Sequence, residues 1–131
     1  GRKLLLKVSD IMHTGDDLPS VSQNTRFADA LMEMTQKSMG MTAVVSPQGQ
    51  LTGIYTDGDL RRSLDHSQDL RECHISELMT HNPIQAQAGM LAAQALQIMQ
   101  QHQINALIVC DKNNHPVGAI NMHDLLKAGV I

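Results

Sequence analysis

The 131-residue chain has no Trp, one Tyr and one Phe, so any core it builds is aliphatic. Its two cysteines, Cys73 and Cys110, fit neither a disulfide framework nor a CxxC site. That points to a reducing, cytoplasmic setting. No apolar run approaches the length of a membrane span. The formal net charge of −3 excludes bulk nucleic-acid binding, which needs many Lys and Arg facing phosphates. The largest basic feature is the pair Arg61-Arg62. Seven histidines are present, but none falls in an HxxxH or HExxH pair, so no metal site is expected. Neither cysteine has a base partner in sequence, so nucleophilic catalysis is not expected either.

What is present is repetition. VSDIM, Val8 to Met12, returns as ISELM, Ile75 to Met79, at an offset of 67. Ala30, Leu31 and Met34 return as Ala95, Leu96 and Met99, and Gly53 and Asp59 return as Gly118 and Asp124, all at an offset of 65. Two residues are lost in the loop after the first Met, and the remainder stays in register. The boundaries follow: a linker over 1–7, a first copy over 8–66, a linker over 67–74 and a second copy over 75–131.

Both copies read alike. A short hydrophobic turn ending in Met leads to a Pro-containing loop. Phe27, Ala30, Leu31 and Met34 fall at i, i+3, i+4 and i+7, one apolar face of a helix, and Ala92, Ala95, Leu96 and Met99 repeat it. Two β-rich runs follow, Thr42–Val45 with Leu51–Thr56, and Ala106–Cys110 with Pro116–Asn121. A last helix starts near Gly58 and near His123. The fold class is α/β (α+β): two pseudo-twofold-related β-α-β-β-α repeats, packed sheet against sheet with helices outside. Nine Met residues help fill the aliphatic core, because Met adapts to irregular gaps.

The candidate site is the turn that closes each pair of strands. Thr56-x-x-Asp59 and Asn121-x-x-Asp124 both follow a strand containing Gly and both open a helix. One role is capping, with Thr or Asn accepting a first-turn N–H and Asp reinforcing it. A second role uses the same groups. Helix N-termini attract phosphate. An Asp carboxylate can accept both hydroxyls of a ribose diol, and a nearby Gly permits close approach. Occurrence twice in register favours more than a cap. His123 lies inside the second turn and could donate to a phosphate or carboxylate. His13, just after Met12, could face the same region. Arg61 and Arg62 could reach an anionic ligand, but read first as a solvated helix face.

With the arrangement Gly-h-h-(Thr/Ser)-x-x-Asp at the end of a duplicated unit, and with GMTAVV, GIYTDGDLRR, HTGDDLPSV and MHDLLKAGVI, the chain resembles a tandem pair of CBS domains. In combination these motifs resemble the C-terminal part of D-arabinose 5-phosphate isomerases of the KpsF/GutQ type. That resemblance covers the whole chain. It implies an upstream sugar-isomerase domain, with GRKLLLKV as its exit linker, and no catalytic residue within this chain. It implies ligand contacts at Thr56 and Asp59, and at Asn121 and Asp124, where Asn replaces the usual Ser/Thr. It adds Thr42-Ala43 and Asn105-Ala106 at the openings of the middle strands, with Pro19 and Ile84 on an opposite wall. The implied ligand is a nucleotide: CMP-Kdo, the activated product of the pathway that arabinose 5-phosphate feeds, or else AMP or ATP. The implied assembly is a homodimer through CBS pairs and a tetramer for the full-length protein, built on the helices at Asp57 to Asp65 and His123 to Gly129. A ligand-free assembly module is the alternative.

Overall fold

The computed structural model describes residues 5–66 and 69–131. Residues 1–4 and 67–68, which fall in the two expected linkers, lie outside the described residues. The chain forms two compact units. One runs through Leu18 and resumes at Ile84–Ile131, and the other is Pro19–Pro83. The units are therefore cut differently from the sequence copies. The leading segment of each copy packs in the unit built from the other copy's helix and strands.

In the Pro19–Pro83 unit, strand β1 (Ser20–Ser22) leads to helix α2 (Phe27–Lys37), following the short helix α1 (Val8–Ile11) of the other unit. Strands β2 (Met41–Val45) and β3 (Leu51–Thr56), helix α3 (Asp57–Leu64) and strand β4 (Thr80–His81) complete it. The sheet order is β1-β2-β3-β4, with β1 parallel to β2 and the other pairs antiparallel. Helix α2 ends where Ser38 takes a left-handed conformation, φ 56°. Its face of Phe27, Ala30 and Met34 packs with Val44, Tyr55, Ile75 and Met79. The two aromatic rings of the chain meet edge to face here, centroids 6.2 Å apart.

The other unit repeats this plan. It holds β5 (Gln85–Ala86), α4 (Ala92–His102), β6 (Ala106–Cys110), β7 (Pro116–Asn121) and α5 (Met122–Lys127). The sheet order is β5-β6-β7. The place of β4 is taken by His13, which exchanges backbone hydrogen bonds of 2.8 and 3.0 Å with Ala119. Ala92, Ala95 and Met99 of α4 pack with Val8, Leu107, Val109, Ile120 and Leu125. Even a ladder irregularity recurs, at Val44/Val45 and at Val109/Cys110. The expected β-α-β-β-α order is present in both copies.

The core is aliphatic as the composition requires, with Met34, Met39, Met41, Met79 and Met99 buried. Met32 departs from that reading and is 58% exposed on α2. Cys110 is buried, and burial followed by the neighbouring Asp111 charge pushes its thiol up to about 11. Burial also raises the Tyr55 phenol, which shares a 2.9 Å hydrogen bond with Ser63 Oγ.

Candidate functional site: two capped turns and the segments that reach them

Strand β3 ends at Thr56, which is still extended (φ −122°, ψ 168°) when α3 begins. The Asp59 amide donates to Thr56 Oγ1 (3.1 Å), and the Thr56 amide donates to Asp59 Oδ2 (3.0 Å). This is a reciprocal capping box. In the second copy the Asp124 amide donates to Asn121 Oδ1 (2.8 Å), and the Asn121 amide donates to Asp124 Oδ2 (2.9 Å). The longer Asn side chain reaches the same amide as Thr, so the departure from Ser/Thr preserves the cap.

The remaining first-turn donors limit the phosphate idea. The Asp57 amide donates to Gly40 O (3.0 Å), and the Met122 amide to Asn105 O (2.9 Å). The first and third helical amides are thus engaged in both turns, so little of the helix start is left for an anion.

The strand glycines have a different purpose from the expected ligand approach. A Cβ at Gly53 would collide with the Met79 side chain. A Cβ at Gly118 would lie 2.5 Å from Met12 Sδ and 2.9 Å from its Cγ. Each glycine makes room for the Met that ends the other copy's leading segment. One residue beyond each Met, the same segment reaches the turn. Thr80 Oγ1 donates to Asp59 Oδ1 (3.0 Å), and His13 Nε2 sits 2.8 Å from Asp124 Oδ1. His13 thus contacts the second turn, and Thr80, its counterpart after Met79, contacts the first.

The two carboxylates differ in how fully they are used. Asp59 accepts from Thr56 N, Thr56 Oγ1, Thr80 Oγ1 and Arg62 Nη2, the last at 2.7 Å. A carboxylate has about four lone-pair positions, so Asp59 is saturated. Its side chain is 7% exposed, while that of Arg62 is 70% exposed. Arg62 is therefore an ion-pair partner and not merely a solvated face. The signal in sequence was its i+3 spacing from Asp59. Asp124 accepts only from Asn121 N and His13 Nε2 among the described residues.

The other expected site residues are dispersed. Thr42 is fully buried, with its hydroxyl on Ala43 O (3.0 Å), and Ala43 is fully buried beside it. Asn105 is exposed and Ala106 half-buried. The ladder sets Met41 opposite Thr56 and Ala106 opposite Asn121, so Asn105 corresponds to Gly40 and not to Thr42. Pro19 is buried, and its carbonyl accepts from Ala43 N (3.0 Å); Ile84 is 38% exposed. His123 is exposed on the first turn of α5. A shallow cavity of about 420 Å³ lies against α2 and α3, lined by Leu31, Met34, Thr35, Ser38, Gly40, Asp57 and Leu60. Among the described residues no group of His, Cys, Asp and Glu is placed to hold a metal.

Duplicated turns, each completed by the other copy's leading segment, define a paired module. Both copies match the CBS domain family, at residues 8–66 and 75–131, and the chain belongs to that family. Over all 131 residues it is 53% identical to the arabinose 5-phosphate isomerase KdsD of Pseudomonas aeruginosa and 47% identical to KdsD of Escherichia coli K12. The chain spans 40% of the length of those relatives. Among solved structures it resembles the CBS domain pair of protein MJ0100, solved with 5′-methylthioadenosine and S-adenosyl-L-methionine. The TM-score is 0.86 at 21% identity, covering 96% of this chain and 97% of that one. It also resembles CBSX2 solved with AMP, at a TM-score of 0.80 and 21% identity, covering 95% and 96%. Among the described residues no helix is long and apolar enough to cross a membrane.

Proposed function

We propose that the chain is a regulatory, nucleotide-binding CBS module of an arabinose 5-phosphate isomerase, with its chemistry carried by the part of the relatives that this chain does not span. The carrying observation is Asp124, a partly buried carboxylate at a duplicated turn with acceptor capacity left after its cap is made. A ribose diol would fill that capacity. The first ligand choice is CMP-Kdo, which has a ribose diol, a phosphate and a sugar carboxylate, and which lies downstream of the relatives' product. An adenine nucleotide is the second choice, supported by the adenosine ligands in the two solved neighbours. Bound ligand would bias attached isomerase domains through its differential affinity for two states. The module acts in the cytoplasm, where these metabolites are made.

Thermal unfolding of the chain with CMP-Kdo, CMP, AMP, ATP and no ligand tests this. A ligand at 100 times its Kd adds about 2.7 kcal/mol. A shift confined to CMP-Kdo supports end-product sensing, and one confined to AMP or ATP supports energy sensing. No shift in the panel refutes the nucleotide reading. A second reading, assembly, draws on Leu64 and Leu126, which are 64% and 57% exposed at α3 and α5. Sedimentation that shows this chain to be a monomer at high micromolar concentration rules out homodimerisation by the module alone.

A further inference from the structure

We infer that the two turns are unequal as binding sites: Arg62 and Thr80 hold the Asp59 carboxylate shut, so that only the turn at Asp124 takes a ribose diol, and these two side chains together set the number of sites per chain. This rests on the nucleotide-binding reading above and adds stoichiometry and a controlling pair of residues to it.

The argument is one of acceptor capacity and charge. Every lone-pair position of Asp59 is taken, by Thr56 N (3.0 Å), Thr56 Oγ1 (3.1 Å), Thr80 Oγ1 (3.0 Å) and Arg62 Nη2 (2.7 Å). A diol entering here must displace two of these donors. Displacing the Thr56 groups breaks the helix cap. Displacing Arg62 exchanges a guanidinium for neutral hydroxyls on a carboxylate that is only 7% exposed, leaving that charge without its counter-ion. Displacing Thr80 alone frees one position, and a diol needs two.

Two of these donors, the guanidinium and the cap hydroxyl, have no counterpart on Asp124 among the described residues. Lys127 occupies the position of Arg62, is exposed, and forms no ion pair with Asp124 among the described residues. His13 stands where Thr80 stands, and contacts one oxygen. Asp124 therefore keeps lone pairs on both oxygens while its cap stays intact.

Isothermal titration of the chain with AMP, CMP and CMP-Kdo decides it, with 2′,3′-dideoxyadenosine monophosphate as the diol-free control. The wild type is expected to bind one ribonucleotide per chain and to bind the dideoxy analogue at least ten-fold more weakly. Arg62→Ala combined with Thr80→Val changes two exposed side chains and frees two positions on Asp59 without touching the cap, so this double variant is expected to keep a native circular dichroism spectrum and to bind two. Asp124→Asn, an isosteric change that keeps an acceptor for the cap, is expected to weaken the single wild-type site at least ten-fold. Two sites in the wild type, or one site in the folded Arg62→Ala, Thr80→Val double variant, overturn this inference and leave nucleotide binding standing. No binding of any of the three ribonucleotides overturns the nucleotide reading and this inference together.

Discussion

Gly118→Ala should destabilise the protein, and the sign is the informative part. In a strand, Gly normally costs about 0.5–1 kcal/mol relative to Ala, because it loses more backbone freedom on folding. Gly118 has no left-handed φ that would penalise Ala. Backbone entropy alone therefore predicts a gain. The packing predicts the opposite. The new methyl would lie 2.5 Å from Met12 Sδ, 2.9 Å from its Cγ and 3.2 Å from its Cβ. The Sδ and Cγ could swing aside, but the Cβ is fixed to a backbone tied to this unit by Met12 N donating to Val8 O (2.9 Å) and His13 N to Ala119 O (2.8 Å). Overpacking of this kind costs about 1–3 kcal/mol. The net expectation is a loss of about 1–2 kcal/mol. In a Met12→Gly background the clash is gone, and Gly118→Ala should become neutral or stabilising by up to about 1 kcal/mol. Urea unfolding of the four proteins in this cycle measures the coupling, expected at about 1–3 kcal/mol. Additivity within about 0.5 kcal/mol, or a Gly118→Ala variant more stable than wild type, would refute the claim that glycine is there to admit Met12.

The equivalent cycle at Gly53 and Met79 should behave the same way, and unfolding data showing coupling at only one of the two sites would break the proposed equivalence. Asp59→Ala should cost more stability than Asp124→Ala, by about 1 kcal/mol or more, since it abandons Arg62 and Thr80 as well as the cap; equal losses in urea melts would contradict the difference between the two networks. Because the folded-state pKa of Cys110 is raised to about 11, its contribution to stability is full below about pH 9 and is lost as pH rises toward 11, by up to about 2 kcal/mol. Cys110→Ala should flatten that alkaline decline, and parallel pH profiles for the two proteins would count against it.

The sequence by itself determined the repeat, the element order and the caps. These depend on local rules: apolar spacing at i, i+3, i+4 and i+7, β-rich runs of five or six residues, and Thr56 or Asn121 three positions before an Asp. Such signals act between neighbours in the chain, so they survive in a one-dimensional string. Tertiary structure alone decided which leading segment completes which unit. Val8–Met12 opens the first copy, yet it packs against the second, and composition does not distinguish the two slots, since Gly53 and Gly118 each face a Met. It also gave each carboxylate a distant partner, Thr80 on Asp59 and His13 on Asp124, 21 and 111 residues away along the chain. The two further bonds that saturate Asp59 come from Thr56 and Arg62, three positions to either side. The distant contacts leave no periodicity to read, and they become visible only when the fold brings the two segments together.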